Sequence, residues 1–173
     1  DGLDECLCPF DFDWSEPHMI RDKQLHEVFD RIPEGVQAIF VSDSCHSGDL
    51  TRDPGGLGGR VAKRLIPPAD LGWRIEAAQR SGFVTKNLSE SLPNIALISG
   101  CKSDQTSADA HFGGRPNGAL TFFLLQVLNA PEGLSIPLTT VGERVRALLT
   151  QNNYEQQPQV EGPDNLISRP FFK

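Results

Sequence analysis

Apolar residues recur along this chain in two patterns. The first is the short continuous run. Val36, Ala38, Ile39, Phe40 and Val41 are interrupted only by Gln37, and residues 94–99 read Asn-Ile-Ala-Leu-Ile-Ser. Each run is strand length and ends in small residues, which predicts two buried strands, the first of them parallel. The second pattern is helical. Leu25, Val28, Phe29 and Ile32 fall at i, i+3, i+4 and i+7 and predict a helix over residues 19–32, with Asp22 as its cap and Pro33 and Gly35 as its stop. Residues 117–128 open on Asn117-Gly118 and continue as an apolar helix through Phe122, Phe123, Leu124 and Val127. Residues 138–151 place Val141, Val145, Leu148 and Leu149 on one face, and Thr140 with Glu143 has the spacing of a capping box. A helix feeding a buried strand is an αβ unit, so the expected class is α/β, a mostly parallel sheet with helices on both faces.

Between these elements the pattern weakens. Residues 1–14 are acidic and aromatic and read as a loop or short hairpin. Residues 48–90 are the least ordered stretch. Arg52 to Gly59 holds four glycines and a proline, Arg60, Lys63 and Arg64 follow, and Ile75-Glu76-Ala77-Ala78 reads as a short helix. Residues 102–110 form a polar loop after the second strand. No internal repeat or second domain is evident. The organisation is one domain portion in three parts: 1–47, a flexible basic and glycine-rich region over 48–90, and 91–173.

Composition narrows the partners. The 173 residues carry a formal net charge of −7, which argues against nucleic acid or an anionic membrane surface and favours a cationic substrate. No apolar run approaches membrane-spanning length. Cys6, Cys8, Cys45 and Cys101 are too few and scattered for a disulfide scaffold, so a reducing, cytoplasmic setting is the default. Cys6 and Cys8 lack the second ligand pair that structural zinc requires, and no metal site is assigned.

The candidate chemistry lies where the first strand ends: Asp43-Ser44-Cys45-His46-Ser47-Gly48. Open α/β sheets place their reactive groups at the carboxyl ends of strands, where a nucleophilic thiol would sit. A lone cysteine there is most often an apolar filler. The six contiguous residues, however, resemble the nucleophile motif of the metacaspases and other caspase-like cysteine peptidases. The stretch Ser99-Gly100-Cys101-Lys102-Ser103-Asp104-Gln105-Thr106-Ser107-Ala108-Asp109-Ala110, with Asn117-Gly118-Ala119-Leu120-Thr121 after it, is similar to the strand, substrate loop and helix of the same family. Asp1-Gly2-Leu3-Asp4-Glu5 resembles its acidic loop and residues 156–162 its final strand.

The resemblance implies a caspase-like three-layer sandwich and a cysteine endopeptidase cutting protein or peptide substrates after Arg or Lys. It implies Cys45 as nucleophile, Asp43 as the carboxylate that selects a basic residue, and Asp104 as a second acidic contributor. Without the family, Asp43 reads as a strand-end turn residue. A cysteine nucleophile needs a base, which in caspase-type enzymes lies about 50 residues upstream. Only 44 residues precede Cys45, so the histidine is expected on an upstream or separate N-terminal half. His18, His26, His46 and His111 read as surface or loop residues rather than the base. No cofactor is required on this reading. Family members bind calcium through aspartates, but the expected Asp-Asp pair reads Arg21-Asp22 here, a cation in place of a hard anionic ligand. Asp4, Asp22 and Asp49 or Asp53 remain as weak ligands. The alternative function is a catalytically inactive caspase-like module that binds basic peptides or a partner protein.

Overall fold

The two strand-like runs lie side by side. The structure, a computed structural model, describes residues 6–44, 61–62, 94–102 and 105–170. In chain order these form β1 (Cys6–Leu7), a 3₁₀ turn (Glu16–His18), β2 (Ile20–Arg21), α1 (Asp22–Phe29), β3 (Ala38–Ser42), β4 (Val61–Ala62), β5 (Ile95–Ser99), β6 (Ala108–Phe112), β7 (Arg115–Gly118), α2 (Ala119–Leu128), α3 (Leu138–Gln151), β8 (Gln159–Glu161) and α4 (Asp164–Ile167). β3 and β5 are parallel, with Ile39 opposite Ala96 and Val41 opposite Ile98. β8 pairs antiparallel to the other side of β5. An antiparallel edge on a parallel core is common in α/β folds.

Alternation along the strands sorts their side chains onto two faces. Ala96 and Ile98 join Leu120, Phe123, Leu124 and Val127 of α2 and Leu138, Val141, Val145 and Leu149 of α3 in one buried cluster, with Ile39 packed against it. Phe40 points the other way and meets Phe29 of α1 edge-on, ring centroids 5.5 Å apart. Helices therefore flank the sheet on both faces, the caspase-like sandwich arrangement. β3 is less covered than a central strand would be: its residues are half-buried, Val41 is 38% exposed, and among the described residues it pairs on one side only.

A second sheet stands beside the first. β6 and β7 form an antiparallel hairpin in which Phe112 faces Arg115. Gly113 and Gly114, at φ +58° and +81°, make its two-residue turn, a backbone that glycine adopts without strain. β4 pairs antiparallel with β6, so part of the stretch expected to be loose is sheet; the rest of 48–90, including the short helix expected near residue 75, lies outside the described residues.

Several local expectations change. Residues 108–110 are strand rather than polar loop. The first helix runs only Asp22–Phe29, because Ile20–Arg21 is drawn into pairing with Cys6–Leu7. Its N-cap is Arg21, whose N–H donates to Gln24 Oε1 at 2.8 Å, while Asp22 sits inside the first turn. The Thr140–Glu143 box is not formed. The N-cap of α3 is Pro137, so Thr140 already lies within the helix, where its side chain cannot cap.

Candidate active site

β3 delivers Ser42, Asp43 and Ser44 to the carboxyl edge of the sheet. The β3–β5 ladder continues one step beyond the strands, Gly100 N–H donating to Ser42 O at 2.9 Å. That fixes the backbone on the N-terminal side of Asp43. Its half-buried carboxylate then collects donors from two distant segments. Ser107 Oγ donates to Oδ1 at 2.8 Å. Thr121 donates twice to Oδ2, from its backbone N–H at 3.0 Å and its hydroxyl at 2.6 Å. An ionised carboxylate is acceptor-only, and this donor set suits it.

The Thr121 contact has a structural cause. α2 starts after Gly118, an N-cap with no side chain to satisfy the first-turn N–H groups. Thr121 is the third helical residue, whose N–H an N-cap side chain ordinarily binds. Asp43 supplies that acceptor from another element, and its negative charge sits at the favourable end of the helix dipole.

Behind Asp43 is a buried amide network. The Gln156 side chain, 3% exposed, accepts from Ala108 N–H at 2.9 Å through Oε1. Its Nε2 donates to Gly100 O at 3.0 Å and to Ser107 Oγ at 3.3 Å. Gln105 makes a second clasp: Nε2 donates to Glu155 O at 3.0 Å, and Oε1 accepts from Gln157 N–H at 2.9 Å. The segment 155–157 thus holds both ends of the described loop after β5. Within that loop the buried Cys101 thiol donates to Gln105 O at 3.2 Å.

Of the site residues expected from sequence, Asp43 is described, and Cys45 and Asp104 lie outside the described residues, as does His46. The described structure gathers Ser107, Thr121, Gln156 and Gly100 around Asp43, none of which the sequence reading singled out. One signal was available for Thr121: a helix opening on glycine needs its cap from elsewhere.

The remaining histidines sit elsewhere. His111 is exposed on β6 and His26 is half-buried on α1. His18 belongs to a small acidic turn. Ser15 donates to Asp13 Oδ1 from N–H (2.9 Å) and Oγ (2.5 Å), and His18 Nδ1 lies 3.3 Å from Asp13 Oδ2. That last pair is within Coulomb range but out of hydrogen-bond alignment, and Nδ1 is buried with no hydrogen-bond partner. The two Ser15 bonds, chiefly the hydroxyl's, hold the Asp13 carboxyl below its ordinary value, with His18 adding a smaller attraction.

For calcium, Asp22 Oδ1 accepts from the adjacent Lys23 N–H at 2.6 Å, a local turn rather than a ligand geometry. No group of three or more metal-ligating side chains forms among the described residues. Asp4, Asp49 and Asp53 lie outside them.

The family description "Metacaspase, peptidase C14 domain" matches residues 1–54, the stretch that carries β3, Asp43 and Cys45. The chain is a relative of the metacaspases. It is 30% identical over 191 residues to Metacaspase-1 of Mycosarcoma maydis, covering 92% of this chain and 46% of that protein. It is 30% identical over 190 residues to Metacaspase-1 of Yarrowia lipolytica, covering 92% of this chain and 40% of that one. The chain spans less than half the length of these curated relatives. Among solved structures, protein GSU0716 from Geobacter sulfurreducens superposes with a TM-score of 0.60 at 26% identity, over 99% of this chain and 63% of that one. No described helix is long and apolar enough to cross a membrane.

Proposed function

We propose that the protein is a cysteine endopeptidase that cuts after Arg or Lys. The observation that carries this reading is the Asp43 carboxylate, held by three donors at the carboxyl end of β3, two residues before a cysteine in a metacaspase-like sequence. A fixed carboxylate there pairs with a guanidinium or ammonium group. Asp104 is the second acidic contributor.

In the proposed reaction the Cys45 thiolate attacks the carbonyl carbon of the scissile bond. Backbone N–H groups, that of Cys45 among them, take the charge on the oxygen. The C–N bond breaks as a histidine returns the proton it took from the thiol to the leaving amine. Water then hydrolyses the thioester, releasing the acid and restoring the thiol. The histidine is supplied by an N-terminal half of the same domain, upstream or as a separate chain. The net charge of −7 favours basic peptide substrates over nucleic acid or membrane. The thiols Cys6, Cys8 and Cys101 suit a cytoplasmic setting. Arg52, Arg60, Lys63 and Arg64 are the expected sites of self-processing. Calcium is not required.

The test is turnover by the full-length protein of fluorogenic peptides ending in Arg, Lys, Gln or Asp. Arg and Lys substrates should be cut, Cys45→Ala should remove that activity, and this chain alone should be inactive. A full-length protein that binds basic peptides without cleaving them would instead be the inactive module.

A further inference from the structure

We propose that the hydroxyls of Ser107 and Thr121 are positioning groups for substrate specificity, with Gln156 setting the direction of the Ser107 proton. The inference rests on the reading of Asp43 as the selector of a basic residue. Its basis is the chain of donors and acceptors behind that carboxylate. The Gln156 amide is locked in one orientation, because its Oε1 accepts from Ala108 N–H while its Nε2 donates to Gly100 O. Nε2 also approaches Ser107 Oγ at 3.3 Å, so that oxygen accepts there and its proton is directed to Asp43 Oδ1, 2.8 Å away. Thr121 fixes the other oxygen through two donors on one residue.

Each carboxylate oxygen is thus held from a different element, which sets the plane of the group as well as its position. Recognition of a planar, directional guanidinium depends on that plane; recognition of an ammonium, a compact charge, depends on it less. The geometry therefore predicts that the hydroxyls matter more for Arg than for Lys. Ser107 is fully buried, so its hydroxyl acts through Asp43 and not by touching substrate. Gly100 makes room for it: a Cβ at residue 100 would stand 2.8 Å from Ser107 Oγ and 3.4 Å from Asp43 Oδ1.

The experiment measures kcat/KM of the full-length enzyme on Arg, Lys and Gln peptides, for wild type, Thr121→Val, Thr121→Ser, Ser107→Ala and Asp43→Asn. Ratios between substrates on one preparation cancel the active fraction, so a variant that merely folds less well leaves them unchanged. Thr121→Val should lower the Arg-to-Gln ratio by at least about tenfold, equivalent to about 1.4 kcal/mol, and lower the Arg-to-Lys ratio with it. Thr121→Ser, which keeps the hydroxyl, should restore both. Ser107→Ala should act in the same direction, and it carries the test if Thr121→Val does not fold. Unchanged ratios in Thr121→Val and Ser107→Ala, beside a lost Arg preference in Asp43→Asn, would overturn the positioning role and leave Asp43 as selector. A wild-type enzyme with no preference for Arg over Gln would remove the selector reading and this inference together.

Discussion

The carboxylate of Asp43 accepts both the backbone N–H and the hydroxyl of Thr121, a residue 78 positions further along the chain. One side chain thereby caps a helix it does not belong to and joins the end of β3 to the start of α2. Asp43 has a structural task whatever it does to a substrate, and its substitutions should be read on both scales.

On the stability scale, Asp43→Ala should cost about 2–4 kcal/mol, because it strands the Ser107 hydroxyl and the Thr121 donors in a half-buried site. Asp43→Asn should cost less, about 1 kcal/mol. Its oxygen can face Thr121 and keep both of those bonds, while its amide donates to Ser107 Oγ and turns the Ser107 proton away. Urea denaturation of the three proteins checks the order; an Asn variant as unstable as the Ala variant would show that charge, rather than the bonds, holds the helix end.

The large elements were legible in the sequence because their signals are local. The apolar run at residues 95–98 and the apolar face Val141, Val145 and Leu149 each carry their signal within one segment, and Ile95, Ala96 and Ile98 joined that face in the buried core. The motif around Asp43 was legible as a resemblance. Its surroundings were not, since Ser107, Thr121 and Gln156 look like ordinary loop and helix polar residues until the fold brings them to one carboxylate. The helix starts failed for a related reason. A Thr-x-x-Glu spacing cannot reveal that the chain enters the helix three residues earlier, at Pro137.

Gly100→Ala tests the close approach at the site. The added Cβ would stand 2.8 Å from Ser107 Oγ and 3.2 Å from Ser107 Cβ. Both neighbours are held by the Gln156 network, so relief requires movement of the loop. The substitution should destabilise by about 1–3 kcal/mol, the range for overpacking a buried contact. Combining it with Ser107→Ala removes the nearer atom, so the double variant should be more stable than the sum of the two single costs. Strict additivity in a denaturation cycle would place the strain elsewhere.

The acidic turn at Asp13 gives a pH prediction with a definite sign. Its folded carboxyl is held below the ordinary 3.8, first by the Ser15 hydroxyl. A depressed folded value contributes stability above the unfolded value, and that contribution is lost as pH falls through the folded value. Its window therefore lies below about pH 4. Ser15→Ala should raise the Asp13 titration toward 3.8, as followed by carboxyl NMR; it should remove that contribution at neutral pH as well, and leave the slope of stability with pH altered only below about pH 4. The side chains are largely exposed, so the effect belongs to the local turn and should fade in high salt only to the extent of the His18 attraction.

Gly142 sets two effects of similar size against each other. It lies inside α3, where glycine is about 1 kcal/mol worse than alanine, so a helix considered alone would gain from Gly142→Ala. In the folded protein, however, Gly142 is buried where α3 crosses β8, and an added Cβ would stand 2.5 Å from Val160 Cγ2. Val160 is β-branched and stiff at χ1, and its strand is pinned to β5 opposite Ile98. The methyl has little freedom to retreat, and overpacking of this kind costs about 1–3 kcal/mol. Packing should therefore win, with Gly142→Ala lowering stability by about 1 kcal/mol net. Val160→Ala removes the obstructing methyl at the expense of a small void. In that background the sign should reverse, and Gly142→Ala should stabilise through helix propensity and by filling the space. Thermal or urea melts of the four proteins decide it. A Gly142→Ala protein more stable than wild type would mean that α3 and β8 can separate by a few tenths of an ångström without loss.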